Sequence, residues 1–141
     1  SRSGDQCPYS YLSRQDRISF RDLTTYRKAR DVARRVYSLS KTFPKEEAYS
    51  LTDQIRRCSR SVGAQIAEAW GKRQYERHFV SKLTDADAEQ LETQHWIEVA
   101  CDCGYVSRDE CAAILETLHE VGRMLHAMIA KAAQFCGPLD H

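Results

Sequence analysis

The 141-residue chain has little of what breaks a helix and nothing long enough to cross a membrane. It holds three prolines and six glycines. Pro8, Pro44 and Pro138 all fall outside the long periodic segments, so those segments are free to be helices. No apolar run approaches the roughly 20 residues a membrane span requires. Residues 1–20 are polar and lack an apolar signal core, which predicts a cytoplasmic protein. Alternating strand patterns, internal repeats and a Gly-rich phosphate loop are all missing, which excludes β architectures, solenoids and P-loop chemistry. Six cysteines are present, yet Cys101-x-Cys103 has the wrong spacing for common zinc knuckles and no second pair follows. Reduced thiols in helical segments, at Cys58, Cys101, Cys111 and Cys103, fit the pattern, and free cysteine there acts as a small hydrophobe.

What remains is helical periodicity. Tyr26, Ala29, Val32, Ala33, Val36 and Leu39 recur at spacings of three and four, predicting a first helix over 21–40. Thr42-Phe43-Pro44 breaks it. A second helix is predicted from Lys45 or Ser50 to Trp70, with an apolar stripe of Leu51, Ile55, Cys58, Val62, Ile66 and Trp70. Beside that stripe the small residues Ser59, Gly63 and Ala67 stand four apart, suiting close approach of another helix or a subunit. A third helix, 75–103, has a thin stripe: Phe79, Leu83, Ala86, Leu91, Ile97 and Cys101, with Gln90 and Gln94 on the same face. Those glutamines need partners if buried: each other, or a neighbouring subunit. Ser107-Arg-Asp-Glu110 is a capping box that starts a fourth helix, reaching Phe135 before Gly137-Pro138. The expected fold is all-α: an antiparallel up-down-up-down four-helix bundle over 20–136, after an N-terminal arm, 1–19, and before a C-terminal tail, 137–141.

Net charge is +1, but the charges are segregated. Residues 20–41 carry seven Lys/Arg against two Asp/Glu, and residues 75–103 carry two against seven. On the first helix Arg27, Arg30 and Arg34 share one side, with Lys28 and Arg35 flanking the other. Arg56, Arg57 and Arg60 on the second helix, then Lys72 and Arg73, extend the positive surface. Such clusters bind phosphate by charge and counterion release, without reading sequence. The same residues equally suit a solvated face, or pairing with the acidic third helix.

Catalytic patterns fare worse. Glu92-Thr-Gln-His95 and Glu116-Thr-Leu-His119 have the Glu-x-x-His spacing of di-iron bundles. Glu116, however, lies about 160° from Leu118 on its helix, and Glu92 lies opposite its own apolar stripe. Neither pair is expected inside the bundle. No metal, no cofactor and no enzymatic activity is expected. Tyr26, Tyr37, Tyr49 and Tyr75 are expected to pack with a wet hydroxyl.

Several stretches, in order and at fixed spacing, resemble one family. They are Phe20-x-Asp22-Leu23-x-x-Tyr26-x-Lys28-Ala29, Phe43-Pro44-x-Glu46, Leu51-Thr52-x-Gln54-Ile55-Arg56-Arg57, Ser61-Val62 and Ile66-Ala67-Glu68. Glu92-Thr93-x-x-Trp96-Ile97-x-x-Ala100-x-x-Cys103-Gly104-Tyr105 completes the set. Over about residues 20–130 the chain resembles the four-helix bundle proteins encoded by intervening sequences of bacterial 23S ribosomal RNA genes. That group includes the accessory variability determinants of diversity-generating retroelements. The resemblance implies a ring-like homo-oligomer, commonly a pentamer, without enzymatic activity. For the retroelement members it implies a basic surface that binds RNA or DNA and docks on a reverse transcriptase. A protein–protein scaffold without nucleic-acid binding is the alternative the same features allow. The near-neutral net charge implies weaker binding than a more basic relative, or reliance on a partner protein.

Overall fold

The computed structural model describes residues 19–137. The expected arm therefore lies outside the described residues except Ser19, and so does the tail beyond Gly137. Four long helices account for most of the chain: α1 (Thr24–Ser40), α2 (Leu51–Gly71), α3 (Glu76–Asp102) and α4 (Arg108–Ala130). A one-turn helix, α5 (Ala132–Phe135), follows. Each helix packs on the next, α1 also packs on α4, and the diagonal pairs make no close backbone approach among the described residues. The arrangement is an up-down bundle, and α2 with α3 forms its most extensive interface.

The helix ends follow local chemistry. The first helix begins later than the pattern predicts, because Phe20–Asp22 is a separate 3-10 turn. There the Ser19 hydroxyl accepts from the Arg21 amide at 2.9 Å, and the Asp22 carboxylate accepts from the Ser19 amide at 2.9 Å. A second 3-10 turn, Lys45–Glu47, follows Pro44, so α2 starts at Leu51 rather than Lys45. The capping box at Ser107 forms in both directions, each bond 3.1 Å. Helix α3 closes on Gly104, whose φ of +78° favours glycine. The Gly104 amide bonds the Cys101 carbonyl and the Tyr105 amide bonds that of Ala100, both at 2.9 Å, the pairing of a Schellman motif. Tyr105 is then held by its hydroxyl, which donates to Glu47 at 2.9 Å. That bond pushes the phenol up to about 12, and the Ser50 hydroxyl, followed by that of Tyr105, holds the Glu47 carboxyl below its ordinary range. The fourth helix does not run unbroken to Phe135: Lys131 leaves the helical conformation at φ −107°, ψ 23°.

The core divides into two apolar halves. One gathers Val62, Ile66, Phe79, Leu83, Val121 and Leu125 among others. The other gathers Val32, Val36, Ile55, Ile97, Ile114 and Leu118. Polar residues of α3 lie between them. Its buried positions are Phe79, Leu83, Ala86, Gln90, Thr93, Ile97 and Ala100, a strict alternation of four and three. Leu91, expected in the core, stands one residue off that register and is 54% exposed. Gln90 takes the slot, and the expected mutual pairing of the glutamines is present. Gln94 donates to Gln90 at 2.7 Å, Gln90 donates to Asp87 at 2.9 Å, and His126 of α4 lies 3.0 Å from Asp87. Gly122 makes room for this chain: a Cβ there would meet the Gln90 amide nitrogen at 3.0 Å. Nearby, Thr93 donates to the Glu89 carbonyl at 2.8 Å and lies 3.3 Å from Cys58 Sγ. Burial pushes the Cys58 thiol up to about 11, and likewise that of Cys111. Cys103, by contrast, is exposed.

Ile66 is fully buried in the first half-core. Truncation to Ala removes transfer energy and leaves a cavity. Ile66→Ala is expected to destabilise the fold by about 2–5 kcal/mol, read by chemical denaturation. A loss below about 1 kcal/mol would contradict the packing described.

Candidate nucleic-acid interface

Helices α1 and α2 do not close on each other along their whole outer seam. An open groove of about 690 Å³ runs between them. Its floor is built from small residues, Ala29 and Ala33 of α1 with Ser59, Gly63, Ala64 and Ala67 of α2. The four-residue spacing of Ser59, Gly63 and Ala67 places all three on one side of α2. What faces Gly63 is a side chain rather than a helix backbone. A Cβ at Gly63 would lie 3.5 Å from the Tyr26 ring, an ordinary contact.

Aromatic rings and arginines form the two ends. At one end Phe20 meets Tyr26 edge-on, with centroids 4.9 Å apart. Arg30 donates to the Tyr26 hydroxyl at 2.9 Å, and Arg21 sits 4.3 Å from the Phe20 centroid. At the other end Tyr37, 40% exposed, is surrounded by cations. Arg56 and Lys41 each lie 4.8 Å from its ring centroid and Arg60 lies 5.4 Å away. The ring quadrupole attracts each of them. Arg56 is further fixed by donating to the buried Ser40 hydroxyl at 2.7 Å. Tyr26 and Tyr37 thus do more than pack. Tyr49 and Tyr75, at 97% and 57% exposure, do not pack as the sequence reading expected. Tyr26 and Tyr37, at i and i+11 on α1 and bracketing arginines, are the signal the sequence offers, and reading them as packing residues with a wet hydroxyl misses the cations around them.

The structure sorts the nine expected basic residues into separate places. Arg30, Arg34 and Arg60 line the groove, with Arg56 at its Tyr37 end. Arg27 turns back to Asp22 at 3.6 Å. Arg35 turns towards α4, bonding Thr117 at 3.2 Å and pairing with Asp31 at 3.4 Å. Lys28 likewise meets Glu120 at 3.6 Å. Arg57 pairs with Asp53 at 3.8 Å. Lys72 and Arg73 follow the far end of α2, where Arg73 stacks 3.9 Å from the Trp70 ring centroid. Among the described residues Arg30, Arg56 and Arg60 make no ion pair, and Arg34 reaches Asp31 only at 4.0 Å. A guanidinium without a carboxylate keeps its donors for an external anion.

The acidic side lies on α3. Glu68 and Lys82 bridge α2 to α3 at 2.8 Å, and that bond holds the Lys82 ammonium above its ordinary range. Burial, reinforced by Glu92 and Asp85, raises Glu89. The two Glu-x-x-His pairs stay outside the core: Glu92, His95, Glu116 and His119 are exposed, and Glu92 accepts from the Trp96 indole at 3.0 Å. Among the described residues no group of three or more His, Cys, Asp or Glu is placed to hold a metal ion. No helix among them is long and apolar enough to cross a membrane.

The fold and this surface define a helical bundle with a basic groove flanked by aromatic rings. The chain belongs to the 23S rRNA-intervening sequence protein family, whose family model matches residues 21–127. Among solved structures it is similar to a protein of unknown function from the S23 ribosomal protein family of Bacteroides thetaiotaomicron VPI-5482. The two are 28% identical, with a TM-score of 0.68, covering 75% of this chain and 98% of that one. No curated protein matches. The matched range contains the whole α1–α2 seam and ends just before the last turn of α4.

Because a Cβ at Gly63 would meet the Tyr26 ring at an ordinary contact distance, Gly63→Ala is expected to fold normally. It gains helix propensity of up to about 1 kcal/mol, measured as a raised melting temperature. A clear destabilisation would mean that the groove floor is closed in solution.

Proposed function

We propose that this protein is a non-catalytic nucleic-acid-binding accessory protein that works as a cytoplasmic homo-oligomer. The observation that carries the reading is the gathering of Arg30, Arg56 and Arg60, none in an ion pair among the described residues, with Arg34 around one open groove. Phosphate oxygens of RNA or DNA match those donors, and contacts of this kind position a strand without specifying sequence. A ring-like assembly, commonly a pentamer in the family it resembles, repeats the surface and raises avidity. The resemblance to the retroelement accessory determinants extends the proposal to a reverse transcriptase as protein partner.

A second reading has an observation of its own. Leu91 is 54% exposed on an acidic helix that also presents Asp85, Glu92 and Glu98 to solvent. A protein-only scaffold would seat that face on a basic face of another copy. High salt would then dissociate the oligomer, and no nucleic acid would bind.

The test is charge reversal. Arg30→Glu with Arg34→Glu is expected to weaken RNA and DNA binding by at least about tenfold. It should also flatten the dependence on salt by roughly two counterions. Arg57→Glu, at a residue paired with Asp53 outside the groove, is expected to have the smaller effect. Unchanged affinity in a folded Arg30/Arg34 double variant would overturn the assignment.

A further inference from the structure

We infer that the α1–α2 groove takes the unpaired bases of a single-stranded nucleic acid, with the strand's phosphates on the arginines at its edge. The inference rests on the nucleic-acid reading above and adds which form of strand the site selects. A surface built only for duplex needs cations and nothing else, because a duplex shows a protein its phosphates and keeps its base faces stacked inside. This groove has a second component that duplex cannot use. Its floor is apolar and low, and Ala33, Ala64 and Ala67 of it stay at least partly exposed. Unpaired bases have exposed apolar faces that suit such a floor, and they stack on aromatic rings and on guanidinium planes. Both kinds of plane are present. Tyr26 lies at one end with Arg30, and Tyr37 at the other with Arg60.

Size agrees with the chemistry. About 690 Å³ falls within the range of sites that bury a small organic ligand, enough for about one or two nucleotides. Charge agrees as well. A helix of a second copy laid in the groove would cover arginines that have no ion pair among the described residues, and only an acidic helix would compensate them. An anionic strand carries its compensating charge at every nucleotide.

Ala64 is exposed and lines the groove, so Ala64→Leu fills the floor without changing charge. The probes are a fluorescent single-stranded oligothymidylate and a mixed-sequence duplex of equal length, titrated at one salt concentration with oligomer size measured alongside. Wild-type protein is expected to favour the single strand by about tenfold or more. Ala64→Leu is expected to lose that preference while keeping duplex affinity and oligomer size. A single strand carrying 2-aminopurine gives a readout that needs no variant: its emission should change on binding as the base moves onto the groove planes. Equal affinity of the wild type for both probes, or an Ala64→Leu protein that keeps the preference, overturns the inference and leaves the basic-surface reading standing. A change in oligomer size with unchanged strand preference overturns it in favour of a copy-to-copy contact. Failure of the wild type to bind either probe at low salt defeats both readings together.

Discussion

The structure depends on missing side-chain volume along one side of α2. That helix has two unequal faces. Towards α3 and α4 it presents Ile55, Val62, Ile66 and Trp70, all buried. Towards the outer edge of α1 it presents Ser59, Gly63, Ala64 and Ala67. The large face fixes α2 in the bundle through burial of apolar area. The small face, matched by Ala29 and Ala33 of α1, leaves the seam under-filled. Long side chains fill it only in part: Tyr26 lies over Gly63 with Arg30 beside it, and Tyr37 stands with Arg60 further along. A groove follows from that distribution of volume without any bend or strain: among the described residues, positive φ occurs only at Gly104 and Gly137.

Charge is arranged around the same seam. Carboxylates of the first 3-10 turn, α1, α2 and α4 answer the arginines and lysines that point away from the groove, through Asp22, Asp31, Asp53 and Glu120. These exposed pairs add little to stability, on the order of 0–1 kcal/mol each. Their larger effect is on the surface potential, since they neutralise the flanks and leave positive charge concentrated where Arg30, Arg56 and Arg60 stand. A near-neutral net charge therefore coexists with a local cationic site. Across the bundle, the chain from Gln94 through Gln90 and Asp87 to His126 occupies the space between the two apolar halves. The glutamine bonds are internal to α3, so the register of α3 on α4 is marked by the Asp87–His126 contact and by the fit of Gln90 over Gly122.

Much of the architecture was legible in the sequence, because four amphipathic periods with short links allow few alternatives. The capping box at Ser107 and the stop at Gly104 rest on local chemistry and appear where the residues place them. The start of the first helix was placed a turn too early, and of the two starts offered for the second the structure takes Ser50, since a 3-10 turn and an α-helical turn share composition. Leu91 was read as core because it is the more hydrophobic residue. The three-four alternation instead admits Gln90, whose amide is satisfied by Asp87 and Gln94 on the same helix. The basic set was legible as a cluster and not as a site. Sequence spacing shows which arginines share a side of one helix. Which of them Asp22, Asp31 and Asp53 neutralise, and which meet Tyr26 and Tyr37 across a seam, is decided by packing between helices.

The most direct measurement of the central claim, that the α1–α2 seam is the working face, is photocross-linking of the protein to a single-stranded oligonucleotide followed by mass spectrometry of the adducts. The account predicts adducts on peptides of α1 and α2, at or beside Tyr26, Tyr37 and Arg60. Adducts confined to α3, or to the Lys72 and Arg73 end of the bundle, would contradict it.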